Sequence, residues 1–373
     1  MMKVLTVLGA RPQFIKAAAV SRVLRRFHQE VIVHTGQHYD ENMSAVFFQE
    51  LNIPLPDYNL GVGSGSHGRQ TGRMLAEVEE IIVKEQPDWV LVYGDTNSTV
   101  VGALAAVKLH VPVLHVESGL RSFNRRMPEE INRVVTDSIS TILACPTATA
   151  VRNLSEEGFT NLFSNGDLAN IGAAIPSVTP ERPLVVNTGD VMYDAVLYNL
   201  EIARRRQLPP EIHFGDDYIL ATVHRAENTD VPENLEGVFR GLASMGRKVI
   251  LPLHPRTRKK AAGFRLERLL ESPSLHAIEP VGYLEMLLLM DNASLIITDS
   301  GGVQKEAFIL GKPCITLRDE TEWLETVEAG WNVLAGLGGR KLTMYHDFLP
   351  PEGPRPAPYG DGRAGQRIAA LLV

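Results

Sequence analysis

Two cysteines in 373 residues, Cys145 and Cys314, are too few for a disulfide framework. Both sit in apolar strand-like runs, "ILACPTA" and "KPCITL", where a thiol packs as a small hydrophobe, so neither is assigned a chemical role. No apolar run approaches the roughly 18 residues a membrane span needs. The opening "MMKVLTVLGARPQF" lacks a charged leader and a small-residue cleavage site; it reads as a first strand, with the cytoplasm as default compartment. A Lys/Arg-rich face is missing too. The formal net charge of −7 argues against nucleic acid and leaves only a local basic pocket for a small anion. No G-x-G-x-x-G follows a strand, no G-x-x-x-x-G-K-[ST] occurs, and no Cys/His cluster has zinc spacing. A standard dinucleotide site, a Walker loop and a metal site are therefore all unsupported.

What is present is alternation. Short β-rich runs ending in Gly, Asp, Ser or His alternate with helix-period segments, the pattern of βαβ units, so the class is α/β. "DWVLVYGDTNSTVVGALAAVKLHVPVLHVESG" runs strand, loop, helix, strand, and "SLIITDSGGVQKEAFILGKPCITLRD" repeats that order. The expected architecture is two doubly wound Rossmann-like domains facing a cleft lined by strand C-terminal ends. The Pro/Gly/Ser-interrupted stretch 170–186 is the expected linker, with the boundary near residue 180. Domains are thus expected at 1–180 and 181–355, followed by a Pro/Gly-rich tail, 356–373, that docks a last helix on the body. "GVGSGSHGRQTGR" (61–73) follows no clear strand and reads as a flexible loop.

The strand ends carry the chemistry. A helix opened by Ser300-Gly301-Gly302 leaves amide N–H groups free and lets an anion's oxygens come close, although Ser300 serves equally as a plain N-cap. Glu306 lies two turns into that helix, too deep to be a dipole partner; a surface glutamate is the bland reading. Arg11 and Lys16, His224 and Arg225, and His254 and Arg256 follow other strands, and convergent cations suit a diphosphate. Each alone is as well explained by a solvated charge. Asp95 and Glu117 end two successive strands and can reach one cleft, against the alternative that each caps the next helix. Pro128 starts a helix whose first turn holds Glu129 and Glu130, where the dipole alone favours acids.

The set "GARPQFIK", "YGDTNS", "HVESGLRS", "PEEINRVVTD", "HRAEN", "HPRT", "TDSGGVQKEA" and "GKPCITLRDETE" resembles the non-hydrolysing UDP-N-acetylglucosamine 2-epimerases, over roughly residues 3–336. The resemblance implies a two-domain fold shared with many nucleotide-sugar glycosyltransferases (GT-B-like), a UDP-sugar as partner in the interdomain cleft, a homodimer, and no metal or nicotinamide cofactor. It would put Arg11, Lys16, His224, Ser300, Gly301 and Gly302 around the diphosphate and Glu306 on the ribose hydroxyls. It would make Asp95, Glu117 and Glu129 the catalytic carboxylates, with His224 assisting. Elimination suits such a set. The C2 proton of a 2-acetamido sugar is not adjacent to a carbonyl, so loss of UDP from C1 with that proton gives a 2-acetamidoglycal. UDP then re-adds as a proton reaches the other face, which requires two proton-handling groups.

Three departures bear on the substrate. "TEWLE" puts Trp323 where the family commonly has a substrate-facing Arg, "SFNRRM" brings Arg125 and Arg126 before the PEE helix, and "TGDVMYDA" replaces the common T-G-N-T. These look like the branch acting on UDP-2,3-diacetamido-2,3-dideoxy-glucuronate, whose C6 carboxylate an Arg pair binds by charge-assisted hydrogen bonds; two solvated arginines are the alternative. Segment 37–44 lacks the second glutamine that relatives use in an allosteric site, which speaks against substrate regulation. Two other classes share the pattern: a GT-B glycosyltransferase, which releases UDP only with an acceptor, and a non-catalytic nucleotide-sugar sensor.

Overall fold

The computed structural model describes residues 1–37, 48, 52–163, 178–206 and 217–372. Residues 38–44 and 170–177, on which the allosteric and linker readings partly rest, lie outside these. The chain divides into two compact units, Met1–Leu197 with Ala357–Val373, and Tyr198–Pro356.

The first unit is built on strands β1 (Lys3–Leu8), β2 (Gln29–His34), β3 (Tyr58–Asn59), β4 (Trp89–Tyr93), β5 (Val113–Val116), β6 (Ile142–Cys145), β7 (Leu162–Phe163) and β8 (Leu184–Asn187). Their order is β3-β2-β1-β4-β5-β6-β8-β7, and every pairing is parallel. A parallel strand covered on both faces reads as a continuous apolar run, and in KVLTVL every residue after Lys3 is buried. The chain winds outward from β1 through β2 and β3, then returns to β4 and winds the other way. The β1/β4 border is therefore a topological switch point, where the following loops diverge and leave a crevice. The edge of this unit falls at Leu197 rather than near residue 180, because β8 pairs with β6 and so still extends the first sheet.

The second unit repeats the design with β9 (Tyr218–Thr222), β10 (Lys248–Pro252), β11 (Leu275–Ile278), β12 (Leu295–Thr298), β13 (Cys314–Thr316) and β14 (Asn332–Leu334). The order is β11-β10-β9-β12-β13-β14, again all parallel, with the switch point between β9 and β12. Its core gathers Ile219, Ile297, Ile315, Leu251 and Phe239, each fully buried. No helix of the described residues is long and apolar enough to cross a membrane. Burial pushes the Cys314 thiol up to about 12 and the Cys145 thiol higher still, so neither is a thiolate at neutral pH.

The tail belongs to the first unit. The helix Ala364–Ala370 packs on the helix Arg11–Leu24 so closely that a Cβ on Gly365 would stand 2.7 Å from the Ala19 carbonyl oxygen. The Asp194 carboxylate accepts from the amides of Ala364 (3.1 Å) and Gly365 (2.9 Å), which anchors the start of that helix.

Behind the loops that follow β4 and β5 lies a buried ionic cluster. Asp137, 1% exposed, holds His115 Nδ1 at 2.7 Å, Arg121 at 2.7 Å and the Gly119 amide at 3.1 Å. His115 Nε2 in turn meets the Gly94 carbonyl at 2.8 Å, and Arg121 grips Glu157 with two further bonds. Both strand-end loops are thereby fixed to one carboxylate. Burial works to raise the Asp137 pKa, but His115 and Arg121 outweigh it and hold the group below the usual range. Its stabilising contribution is thus present above the unfolded value of about 3.9 and lost as pH falls through the lower folded value. Removing one partner of a buried ion pair costs about 3–5 kcal/mol, so Asp137→Ala should lose about that much in urea unfolding near neutral pH. The gap from wild type should narrow below pH ~4; a gap independent of pH would sink this account.

Candidate active site

In the first unit the loops at the β1/β4 switch point are stitched by Gln13. Its Oε1 accepts from the amides of Gly9 (2.8 Å) and Ala10 (3.0 Å), and its Nε2 donates to the Tyr93 carbonyl at 2.7 Å. Arg11 opens the helix Arg11–Leu24, with Pro12 in its first turn, and Lys16 follows on the next turn. Lys16 Nζ stands 2.5 Å from Glu117 Oε2, with the two side chains 17% and 4% exposed. Burial works to lower the Lys16 pKa, but the Glu117 charge and hydrogen bond more than reverse this, so it stays an ammonium. Asp190 adds to that field; it is the fully buried carboxylate of "TGDVMYDA" and also accepts from the Met192 amide at 2.8 Å.

Glu117 has φ +67°, the left-handed region that costs a residue with a Cβ. A Cβ on Gly94 (φ +63°) would lie 3.3 Å from Glu117 Oε2, so glycine there admits the carboxylate against the β4 loop that carries Asp95. Asp95 pairs with Arg133 at 2.5 Å, and the same guanidinium holds Glu130 at 2.9 Å. Glu130 is 2% exposed and accepts from the Ser122 amide (2.9 Å), the Ser122 hydroxyl (3.0 Å) and the Phe123 amide (2.9 Å). Burial would raise its pKa; those donors and Arg133 hold it below the ordinary range.

The two adjacent glutamates therefore part. Glu130 serves the loop, while exposed Glu129 lines a cavity of about 300 Å³ together with Asp95, Asn97, Asn132, His67 and Gln70. Asn132 Nδ2 donates to the Asp95 carbonyl (2.9 Å) and Asn97 Nδ2 to Gln70 Oε1 (2.9 Å), which fixes that wall. His67 and Gln70 lie on the helix His67–Glu85; the expected flexible loop 61–73 is helical from His67 on, and its polar letters face the cavity. Arg125 and Arg126 are exposed on the loop that Glu130 holds, outside the residues lining this cavity.

In the second unit Asp299, fully buried at the end of β12, does for its switch point what Gln13 does for the other. It accepts from the amides of His224 (3.1 Å) and Arg225 (3.0 Å) and from Asn228 Nδ2 (3.2 Å). The His224 ring keeps its Nδ1 3.5 Å from Asp299 and lies 5.4 Å from the His254 ring. Burial, then His224 and Arg256, lower the His254 pKa. Arg256 is held by Asp230 at 2.6 Å and so is not an uncommitted cation.

The helix Gly301–Ile309 has Ser300 at its N-cap with no side-chain capping bond, so the plain-cap explanation of Ser300 does not apply. A Cβ on Gly301 would collide with Glu322 Oε1 and reach Trp323 Nε1 at ordinary contact distance, 3.4 Å, so the "TEWLE" segment lies against this helix start. Lys305, 1% exposed, lies 4.1 Å beneath the Trp323 ring. Glu306 is 6% exposed, against the surface reading, and burial pushes its carboxyl up to about 7 while Tyr283 and Lys305 pull the other way.

Each unit thus assembles its own half of the candidate residues: Arg11, Lys16, Asp95, Glu117 and Glu129 in the first, His224, Ser300, Gly301, Gly302 and Glu306 in the second. Gln13, Arg133 and the Asp137 cluster are not among the candidates from the sequence, and Glu130 appears there only as one of two acids in a helix first turn. The available signal was the i,i+3 spacing of Glu130 and Arg133.

Residues 22–373 match the family model described as UDP-N-acetylglucosamine 2-epimerase. A UDP-2,3-diacetamido-2,3-dideoxy-D-glucuronate 2-epimerase of Pseudomonas aeruginosa is 49% identical over 382 residues, covering 100% of this chain and 99% of that one. A UDP-N-acetylglucosamine 2-epimerase homolog of Methanococcus maripaludis is 50% identical over 376 residues, with the same coverage. The crystal structure of Methanocaldococcus jannaschii UDP-GlcNAc 2-epimerase in complex with UDP-GlcNAc and UDP aligns with a TM-score of 0.81 at 45% identity, over 100% of this chain and 99% of that one. The chain belongs to the UDP-N-acetylglucosamine 2-epimerase family.

Proposed function

We propose that this protein inverts C2 of a UDP-2-acetamido sugar by eliminating UDP and adding it back. One first-unit carboxylate takes the C2 proton as the C1–oxygen bond breaks, its electrons leaving with UDP, and a C1=C2 double bond forms. A second carboxylate then delivers a proton to the opposite face of C2 while a diphosphate oxygen re-forms the bond to C1. The observation that carries this reading is the placing of Glu117 and Asp95 at the ends of adjacent strands, each on its own cation, Lys16 and Arg133. Two carboxylates in separate electrostatic settings suit the division into base and acid, with Glu129 in the Asp95 cavity as the third member. In the second unit the Gly301–Gly302 amides and His224 suit the diphosphate and Glu306 the ribose; in the first, Arg11 and Lys16 are the cations suited to charge developing on the leaving group.

For the sugar, UDP-2,3-diacetamido-2,3-dideoxy-glucuronate stands ahead of UDP-N-acetylglucosamine. Support comes from the exposed Arg125 and Arg126 on a loop fixed by Glu130, and from the likeness to the Pseudomonas aeruginosa enzyme. The same reading makes the protein a cytoplasmic homodimer that supplies polysaccharide precursors.

In deuterated water the enzyme should place deuterium at C2 of its substrate. Asp95→Asn or Glu117→Gln should cut turnover by about 10²–10⁴-fold, the range of a lost general acid or base; full exchange in both variants would overturn the reading. Arg125→Ala with Arg126→Ala should raise KM for the uronate several-fold and leave KM for UDP-N-acetylglucosamine within twofold. Equal loss on both sugars removes the uronate role. Glu306 gives a proton-linked test. Its carboxyl is protonated below about 7 in the free protein, and ribose hydroxyls bind the carboxylate. UDP binding should therefore release a proton below pH 7 and tighten as pH rises through that value. Calorimetry in buffers of different ionisation enthalpy reads this, and Glu306→Gln, which keeps the phosphate's own titration, should abolish the glutamate's share.

A further inference from the structure

The loop between Glu117 and Glu129 joins two of the carboxylates assigned to proton work, and its middle carries a residue that folding does not account for. Phe123 has φ +56°, yet its side chain is 77% exposed. An aromatic residue in the left-handed region is strained, and an exposed ring recovers nothing by burial. Left-handed Gln86, His110 and Arg265 have an ordinary cause, since each sits at or just past a helix C-terminus. Glu117 and Phe123 do not; they share one short segment.

The strained turn is held by a buried group. Glu130 takes the Phe123 amide at 2.9 Å and the Ser122 amide at 2.9 Å, and it is itself held by Arg133, which reaches Asp95 at 2.5 Å. The exposed ring is thus connected to Asp95 through Glu130 and Arg133, each link a charge-assisted hydrogen bond. Backbone strain fixed by its surroundings beside reacting groups is a reason to look for a function.

We propose that Phe123 is a specificity-determining residue whose ring packs on the apolar part of the bound sugar, the acetamido methyl of a 2-acetamido or 2,3-diacetamido hexose. The Glu130–Arg133 bridge sets the ring's position relative to Asp95, and Arg125 and Arg126 on the same loop take the polar end. This rests on the epimerase reading above, so its test uses binding that needs no turnover.

The experiment compares wild type, Phe123→Gly and Phe123→Leu by calorimetry with UDP-N-acetylglucosamine and with UDP alone. Thermal unfolding and sedimentation are run on the same samples. Glycine suits the left-handed backbone, so Phe123→Gly should melt no lower than wild type. Its affinity for the UDP-sugar should fall about tenfold, the size of one lost apolar contact, while UDP binds as before. Phe123→Leu, which keeps an apolar side chain, should recover part of the loss. The proposal is overturned if sugar affinity is unchanged, if UDP affinity falls as much as that for the UDP-sugar, if the variant melts well below wild type, or if its sedimentation shifts, which would mark the ring as a subunit contact. A wild-type enzyme that binds the UDP-sugar with this Phe123 dependence yet puts no deuterium at C2 would sink the epimerase reading alone.

Discussion

At a switch point neighbouring strand-end loops run apart, and their peptide groups lose the partners a sheet ladder would give them. A buried N–H left in that state is costly. Each unit meets the constraint with one buried side chain spanning both loops. Gln13 accepts from Gly9 and Ala10 and donates across to Tyr93, while Asp299 accepts from His224 and Arg225 across the β9/β12 border. Candidate groups flank each such tie: Arg11 and Asp95 beside the first, His224 and Ser300 beside the second. Their positions are therefore consequences of backbone satisfaction, and a crevice with fixed walls comes with a parallel sheet that winds both ways.

Charge is added on that frame at a cost. The Lys16–Glu117 and Arg133–Glu130 pairs are largely withdrawn from water, with half-buried Asp95 joined to the second, and desolvation offsets much of the Coulombic gain. Glu117 adds backbone strain. Such features are poor stabilisers of a fold, yet they gather on the side chains assigned to proton transfer. The Asp137 cluster bears the same desolvation cost, and its bonds tie two loops together: it holds Gly94 through His115 and Gly119 directly, and so joins the β4 and β5 loops.

The sequence announces the strands, the duplicated design and the loops that follow each strand, because buried parallel strands are written as plain apolar runs ending in Gly, Asp or Ser. Asp95, Glu117 and Ser300 were readable for that reason. Glu130 was not separable from Glu129, since both letters satisfy the same helix-dipole argument and only the returning Ser122–Phe123 loop distinguishes them. Gln13 gains its role only from the Tyr93 carbonyl on another strand, and Asp137, at the far end of the PEE helix, gains meaning only from His115 on another element. The segment 61–73 misled through its glycines, which are tolerated up to the point where His67 begins a helix with Gln70 facing inward. Distance along the chain is the common cause: every missed group acts across a contact whose partner lies on a separate element or loop.

The second unit shows what the replacement of an expected arginine by Trp323 achieves. Trp323 lays its ring over Lys305, whose ammonium is 4.1 Å from the ring centroid and almost wholly withdrawn from solvent. The cation is still near the Gly301–Gly302 amides in sequence, but it lies behind an aromatic face, where its field is less screened by water. That field also reaches Glu306, the next residue, and works against the burial that raises its pKa. Trp323 and Lys305 thus act as one device: the indole shields the charge, and the shielded charge moderates how strongly Glu306 holds its proton.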